Sequence, residues 1–593
     1  MSFDLFFMCG IFAYQGKKTD VANLILTSLK SLEYRGYDSW GILIKKTNND
    51  FYLKRQIGKI KDKKLPPIFT TEGFGHTRWA THGGVLEKNA HPHFDCHKQI
   101  FVVHNGIIEN FSQIKKELIN KGHIFTSETD TEVLAHLAEE LSKKINDSLQ
   151  IVKEIIKKIQ GLNAVILYFI NDSEFYAFKN SSPIVLGKNN DGVFLASDAS
   201  ALAPHTQKVY FLEDEEILII KNKNLFLFDK NGKPKKVNFI NLNYKVEDTL
   251  LGRYQHFMIK EISEQPKVLK TIVDTQEKNL KKAANLIKNS YGSYLIGCGS
   301  AYYACLVGTY FFSKIAKRHI NAAVASEFSY LVDFLKETSL VIPLSQSGET
   351  IDIISSVKKA KEKKAKILAI TNVLGSTLYR QADEKLLLLA GPEKCVLATK
   401  SFTAKLSFLY LLAHILNNTF KKGKENLKKA IKEIEKIINE REKIKKLAAL
   451  LKNKEHIFIL GRGVSYPAAL ESALKIKESS YIHAEGFPGG ELKHGVIALI
   501  EKGTPVIVYN PEDETYEDTL SSAYEVSARG AYVIGISSKN NPVYKEFFQI
   551  ENCDDATAIP NVVFAQLLGY YLTLARGFDP DKPRNLAKSV TVK

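Results

Sequence analysis

Three hydroxyls, an amide and a glycine fall within six residues at Ser345-Gln-Ser-Gly-Glu-Thr350, directly after the apolar run Leu340–Leu344. A strand ending and a helix beginning at that point would aim free backbone N–H groups at one spot. With the positive end of the helix dipole behind them, such donors suit a sugar phosphate, and the hydroxyls would complete the cradle. The same residue types are ordinary helix N-caps, so the motif alone leaves both readings open. Two strand–glycine turns accompany it, Tyr294-Leu-Ile-Gly-Cys-Gly-Ser-Ala-Tyr302 and Ile457-Phe-Ile-Leu-Gly-Arg-Gly-Val-Ser-Tyr466. Tyr302 and Tyr466 stand where a dinucleotide fingerprint needs its third glycine, and the chain has no G-x-x-x-x-G-K-[ST] loop. Redox and ATP-driven chemistry are therefore disfavoured. A third cluster, His91-Pro-His-Phe-Asp-Cys-His97, packs three histidines and a cysteine together, but too tightly for a standard structural zinc spacing. It reads as a packed loop, and no metal or cofactor is expected.

The elements that must hold these residues follow from periodicity. Leu340–Leu344 matches Pro505–Tyr509, and Lys366–Ile370 matches Tyr532–Ile536, so the two glycine turns head an internal repeat. Apolar, β-branched runs alternating with helical stretches predict two doubly wound α/β domains with parallel sheets. In the second copy the place of Ser345–Thr350 is taken by Asn510-Pro-Glu-Asp-Glu-Thr515, which is acidic and would repel phosphate. The first 240 residues read differently. Short strands at 41–44, 100–103, 164–168 and 192–195 are interrupted by helical stretches at about 20–32, 111–121 and 130–143, an α+β pattern with helices on mostly antiparallel sheets.

The chain has 593 residues, which corresponds to about three or four domains. Hydrophobic residues at 45% and charged residues at 25% exclude a disordered or collagen-like chain. Nothing approaches 18 consecutive apolar residues, so no membrane span is expected. Six cysteines without a C-x-x-C pair fit a reducing cytoplasm. The net charge of +17 raises the question of nucleic acid. Between Lys421 and Lys454, however, basic residues outnumber acidic ones thirteen to five, beside apolar residues at helical spacing. That describes an amphipathic segment with a solvated lysine face, and no nucleic-acid partner is expected.

Met8-Cys9-Gly10-Ile11-Phe12, Leu32-Glu-Tyr-Arg-Gly-Tyr-Asp38, Gly75-His-Thr-Arg-Trp-Ala-Thr-His-Gly83, His104-Asn-Gly106 and Thr129-Asp-Thr131 together resemble the class II glutamine amidotransferase family. The resemblance implies an N-terminal-nucleophile αββα sandwich over 9–240. By itself a lone cysteine reads as an inert buried thiol. The family implies that Cys9 attacks the glutamine amide, with its own α-amino group as base. Asn105 and the Gly106 N–H would form the oxyanion hole. Arg78 would bind the α-carboxylate as a fork and Asp130 the α-ammonium, with Trp79, Thr81 and His82 lining the pocket. Because the nucleophile must carry a free amine, translation is expected to start at Met8, or residues 1–8 to be removed.

From about residue 252 the chain resembles tandem sugar isomerase (SIS) domains. The resemblance rests on the glycine turns, the serine cradle, Ala473-Leu-Lys-Ile-Lys-Glu478, Glu491-Leu-Lys-His-Gly495 and Pro583-Arg-Asn-Leu-Ala-Lys588. It implies a linker and lead-in helix over 241–282, SIS domains over 283–425 and 450–588, and a C-terminal tail over 579–593. Joined to a class II glutaminase, such a pair implies a family that aminates and isomerises D-fructose 6-phosphate with L-glutamine, opening hexosamine synthesis. Lys588 would then form a Schiff base with the open-chain ketose, His494 assist ring opening, and Glu478 move the proton between C1 and C2. Lys475 would hold charge near the sugar, and Ser300, Ser345, Gln346, Ser347 and Thr350 would bind the substrate and its phosphate. Residue types alone would make Lys588 a tail lysine and Lys475–Glu478 an ordinary helical pair. Ala301 and Ala398 replace hydroxyls found in relatives, which implies altered sugar affinity and an unchanged reaction. Trp79 would gate an ammonia channel. The family also implies a homodimer built through the SIS half, and the lack of a long glutaminase insertion suggests an unregulated bacterial type. Asparagine synthetase and the purine amidotransferase are disfavoured, since neither a pyrophosphatase nor a phosphoribosyl loop occurs. A sugar-sensing module without turnover would not need Glu478, His494 and Lys588.

Overall fold

The computed structural model describes residues 9–46, 50–61, 64–66, 68–242 and 244–590. Residues 1–8, on which the start-site expectation turns, lie outside the described residues, as do 591–593 of the tail. The chain divides into two compact units. The first comprises the chain up to Leu250 with Gly375–Thr377 and the tail from Ala587; the second comprises Leu251–Leu374 and Leu378–Leu586.

The first unit contains an eight-stranded and a seven-stranded sheet. At the centre of the eight-stranded sheet, Gly10–Gly16 pairs antiparallel with Glu72–Arg78 on one side and Gly192–Ala196 on the other. In the seven-stranded sheet, Ile100–Gly106 pairs antiparallel with Asn163–Phe169. Because side chains alternate along a strand, each strand serves two cores. Ile11 and Ala13 meet Phe101 and Val103 between the sheets. Phe12 and Tyr14 face the helix Val21–Leu32 on one outer side. Val102 and Val165 face the helices Phe111–Asn120, Glu132–Ser142 and Ser148–Lys158 on the other. Two sheets between two helical layers is the αββα sandwich that the resemblance implied.

The second unit holds two five-stranded parallel sheets with the same strand order. The first runs Asn321–Val324, Gly292–Gly297, Ser339–Ser345, Lys366–Thr371, Glu384–Leu387. The second runs His483–Pro488, His456–Gly461, Pro505–Tyr509, Tyr532–Ser537, Glu546–Gln549. All pairings within both are parallel, as the strand pattern predicted. The repeat extends to the backbone of the turns. Gly299 and Gly463 have φ of +52° and +54°. A Cβ on Gly297 would lie 2.6 Å from the Ala301 backbone, and one on Gly461 2.4 Å from Ser465 O, so each strand enters its helix too closely for a side chain.

The lysine-rich segment forms the helices Phe420–Asn439 and Arg441–Leu451, which bury Leu427, Ile434, Ile444 and Leu447 and leave Lys421, Lys428, Lys429 and Lys432 exposed. One helix among the described residues, Asp554–Ala575, is long and apolar enough to cross a membrane, but 83% of its apolar window is buried in the protein.

Candidate active sites

In the first unit Cys9 stands immediately before the central strand and is buried. Its Sγ accepts the Trp79 N–H at 3.3 Å. Its carbonyl accepts from Asn105 Nδ2 at 2.9 Å and Arg35 Nε at 3.3 Å. The Asn105 amide is oriented by His76. Burial pushes His76 down to about 3, so its ring is neutral, and Nε2 lies 3.0 Å from His104 O and 3.1 Å from Asn105 Oδ1. A neutral Nε2–H directed at two oxygens leaves Asn105 presenting its NH₂ to Cys9. Gly106 follows with φ +128°, where an added Cβ would meet Leu162 O at 1.8 Å. Only glycine fits there.

The charges around the thiol come from three other segments. Asp130 accepts the Ile108 N–H at 2.9 Å, and Asp38 the Ala80 N–H at 2.9 Å. Arg78, 2% exposed, donates to the carbonyls of His82 at 2.6 Å, Gly83 at 3.0 Å and Gly84 at 3.2 Å. Two of its five N–H groups remain beyond these three bonds. The loop 79–84 is thereby latched to the strand end, with Trp79 edge-on to Tyr37 at 5.2 Å and His82 edge-on to Phe111 at 4.9 Å. Thr81 is half-buried on the same loop. Burial pushes the Cys9 thiol up to about 11, against the Trp79 N–H and the Arg78 cation, while Asp38 and Asp130 add to the rise. At neutral pH the group rests as a thiol and needs a base.

Sequence reading gave no role to Arg35, Asp38 or His76, although all three lie in the segments that carried the resemblance. Arg35 is held by Asp198 at 3.2 Å and so fixes the Cys9 carbonyl. Of the three only His76 carried a signal, a polar residue inside the strand Glu72–Arg78. Arg35 lies in the 3₁₀ turn Glu33–Arg35 and Asp38 in the bend before the strand Ser39–Lys45, where polar residues are ordinary.

In the second unit Ser345 ends its strand, and Thr350 is the N-cap of the helix Ile351–Glu362. Ser345 Oγ accepts the Gly348 N–H at 2.9 Å, Ser347 Oγ accepts the Glu349 N–H at 3.1 Å, and Gly348 has φ +69°. Gln346, Ser347 and Thr350 remain partly exposed. The adjacent strand Gly292–Gly297 ends in the turn before Ser300. These two strand ends flank the position where the strand order reverses, the usual ligand crevice of an open parallel sheet.

The helix Ser465–Ser480 from the second repeat brings Lys475 to Ser300, Nζ to Oγ 3.1 Å. Lys475 is fully buried and pairs with Glu478 and, at 3.3 Å, with Glu471. Glu471 is a residue that sequence reading missed. Burial pushes its carboxyl up to about 7; Lys475 opposes this and Glu478 adds to it. Burial would lower Lys475, but the two carboxylates outweigh it and hold the ammonium above the usual lysine range. His494 is exposed at the end of the 3₁₀ turn Gly489–His494. Lys588 is half-buried and belongs to the first unit, whereas Glu478, Lys475 and the serine turn belong to the second.

Comparison with known proteins bears on both sites. The family model described as "SIS domain" matches residues 286–415 and 450–576, and that described as "Glutamine amidotransferase domain" matches 76–204. The chain is 40% identical over 610 residues to the glutamine–fructose-6-phosphate aminotransferase [isomerizing] of Fusobacterium nucleatum, covering 99% of this chain and 100% of that protein. It is 40% identical over 608 residues to the protein of the same name from Thermococcus kodakarensis, with the same coverage. Among solved structures, the C-terminal domain of glucosamine-fructose-6-phosphate aminotransferase from Francisella tularensis is similar at a TM-score of 0.52 and 33% identity. It spans 56% of this chain and 99% of that one. With such identity along the whole length of both proteins, and both domain types present in that order, the chain belongs to the isomerizing glutamine–fructose-6-phosphate aminotransferase family.

Proposed function

We propose that the chain transfers the amide nitrogen of L-glutamine to D-fructose 6-phosphate and isomerises the product to D-glucosamine 6-phosphate, releasing L-glutamate. The observation that carries this reading is the presence of two different sites in one chain. One is a buried cysteine between Asn105 and the Trp79 N–H, and the other is the Ser300–Lys475–Glu478 cluster in the unit that holds the serine turn. The test supplies purified full chain with glutamine and fructose 6-phosphate, without ATP. Glucosamine 6-phosphate and glutamate are expected in equal amounts. Glutamate alone, or neither product, overturns the proposal.

The Cys9 thiol attacks the glutamine amide carbon, and its proton passes to the chain's own α-amino group, freed by a start at Met8 or by removal of residues 1–8. Asn105 Nδ2 and the Gly106 N–H stabilise the oxyanion, for which Asn105 is already turned toward Cys9. Asp130 takes the substrate ammonium. Arg78 takes the carboxylate with the N–H groups its loop leaves over, and Thr81 and His82 close the pocket. Collapse of the intermediate breaks the C–N bond as the α-ammonium returns its proton to the leaving nitrogen, and water then hydrolyses the Cys9 thioester to L-glutamate. Ammonia moves to the sugar site without meeting bulk water, where protonation would remove its nucleophilicity.

At the sugar, Ser345, Gln346, Ser347 and Thr350 hold the phosphate. Lys588 supplies the Schiff-base amine and Glu478 carries the proton between C1 and C2. Lys475 holds Glu478 in place. His494, exposed on its own protomer, serves ring opening at the neighbouring subunit of a homodimer built through the SIS domains, in the cytoplasm. Sedimentation of the full chain as a monomer would remove that last part. Domain limits of 9–240, 283–425 and 450–588 complete the proposal.

Trp79 is proposed to gate ammonia. Its backbone N–H meets Cys9 Sγ while its ring lies against Tyr37, so the side chain can change without removing that N–H. Trp79→Ala is expected to retain glutamine hydrolysis and to lower the yield of glucosamine 6-phosphate per glutamate well below one. Equal rates of the two products would show that Trp79 has no gating role.

A further inference from the structure

The cysteine of the histidine-rich loop does not pack with the histidines beside it in sequence. His91 and His93 turn inward, where His91 stacks on His76 at 4.0 Å. Cys96 faces outward and meets three residues from farther along the chain. Its Sγ lies 3.8 Å from His123 Nδ1 and 3.5 Å from His136 Nδ1. Glu139 Oε2 lies 2.9 Å from His123 Nδ1 and 3.3 Å from His136 Nδ1. One ligand atom from each of the four residues lies within 4.8 Å of the others. Zinc bonds of about 2.3 Å to sulfur and 2.0–2.2 Å to nitrogen and oxygen give tetrahedral edges of about 3.3–3.6 Å. Four of the six edges, at 2.9, 3.3, 3.5 and 3.8 Å, lie within about 0.4 Å of that range, and the other two lie within 4.8 Å.

We propose that Cys96, His123, His136 and Glu139 form a tetrahedral site for a divalent metal of borderline softness, with Zn²⁺ the best fit.

Three further features support it. Both histidines turn Nδ1 toward the cluster and have a carboxylate behind Nε2. His123 Nε2 is 3.1 Å from Glu140, and His136 Nε2 is 3.6 Å from Glu132. The hydrogen bond at His123 Nε2 favours the proton there and leaves its Nδ1 lone pair for a metal. Glu132, beyond hydrogen-bond distance of His136 Nε2, favours the same tautomer by its charge alone. The donor set of thiolate, two imidazoles and a carboxylate suits Zn²⁺ and disfavours the all-oxygen ions Mg²⁺ and Ca²⁺. Access is also suitable, since the two histidines and Glu139 are buried while Cys96 opens to solvent. In the metal-free cluster each Nδ1–H donates to the Glu139 carboxylate. Binding breaks these bonds, moves the proton of each imidazole from Nδ1 to Nε2 or to solvent, and releases the Cys96 thiol proton to solvent. Thiolate, two Nδ1 lone pairs and carboxylate then face the metal.

The site would act as a staple. Cys96 lies in the turn before the strand Ile100–Gly106, which ends in Asn105 and Gly106. His136 and Glu139 lie on the helix Glu132–Ser142, which begins two residues after Asp130, and His123 lies just after the helix Phe111–Asn120. One ion would tie the segments that carry the proposed oxyanion donors to the segment that carries the proposed ammonium ligand. With four protein ligands it has no open position for chemistry.

The test uses the full chain, stripped by chelation and resupplied with Zn²⁺ alone or Co²⁺ alone. One zinc per chain is expected after gel filtration, with a melting temperature above that of the stripped protein. Co²⁺ is expected to give a thiolate-to-metal charge-transfer band that Cys96→Ser and Glu139→Gln weaken or lose. Peptide mapping of the wild-type chain supplies a readout that needs no variant: Zn²⁺ is expected to block alkylation of Cys96 and not of the other reactive thiols. The proposal is overturned if the wild type takes up no metal, if the cobalt band persists in Cys96→Ser, or if Zn²⁺ leaves Cys96 alkylation unchanged.

Discussion

A Cys9→Ala chain is expected to release no glutamate from glutamine, a loss of about 10⁴-fold or more on the scale of other removed nucleophiles, while still binding fructose 6-phosphate. Alanine removes the sulfur and fits the space without strain, so the variant should fold. Fructose 6-phosphate should raise its melting temperature as it does for the wild type, since a ligand that binds only the native state stabilises it by mass action. The alternative, an inert buried thiol, predicts wild-type glutamate release. Because burial pushes the Cys9 thiol up and keeps it protonated at neutral pH, the role of the base is measurable. If the α-amino group accepts the proton, hydrolysis must rise with pH through the pKa of that amine, about 7.7–8.0, and then level off, because only the neutral amine is a base. Intact mass of the active protein completes the test. A fully active chain that retains Met1 has no amine at Cys9 and excludes this mechanism, whatever the phenotype of the alanine variant.

Local backbone geometry was legible in the sequence, and long-range meetings were not. The turns at Gly297–Gly299 and Gly461–Gly463 could be placed because a short apolar run followed by G-x-G allows few conformations. The two sheets then followed from the repeat, with matching strand order. The αββα layering came from the family resemblance, because a run such as Ile100–Val103 is apolar at every position and its periodicity gives no more than an α+β pattern. In the fold its alternate residues enter two different cores. What stayed hidden was which polar residue meets which. Glu471 reads as one more charge on a helix, yet it is fully buried and pairs with Lys475 one turn along. Arg78 reads as a carboxylate fork, and its actual bonds hold the loop His82–Gly84, which depends on how that loop folds back. Cys96 reads with its sequence neighbours His91, His93 and His97. In the fold, however, His91, in the bend before the short strand His93–Phe94, and His93, within it, both turn inward with their rings packed together, so the cysteine beyond the strand end is left to a helix forty residues away. Motifs reveal the backbone; partner choice across the fold requires the packed structure.

Glu478→Gln is expected to lower glucosamine 6-phosphate formation about 10²–10⁴-fold, the range of a lost general acid–base group, while glutamine hydrolysis continues. Glutamine keeps the length of the side chain and an oxygen that can accept from Lys475, but it cannot take a proton from C1 or C2. The competing reading, in which Glu478 only neutralises Lys475, predicts something else. Removing one partner of a buried pair costs about 3–5 kcal/mol when the other charge is left alone, so a purely structural role would appear as a lower melting temperature with chemistry intact in the folded fraction. Here Lys475 is not left alone. Glu471 stands 3.3 Å from the same Nζ, and its carboxyl is held near pH 7 partly by the negative charge of Glu478. Taking that charge away lowers the Glu471 pKa, so Glu471 ionises more fully and takes over the pairing. The stability loss should therefore be smaller than for an unaccompanied pair, and the rate loss should dominate. A direct readout is solvent exchange: in D₂O the wild type should place deuterium on the carbon that receives the proton, and Glu478→Gln should not. Loss of melting temperature with full deuterium incorporation would return Glu478 to a structural ion pair and leave the proton transfer to another group, with Glu471, on the same face of the same helix, the first to examine.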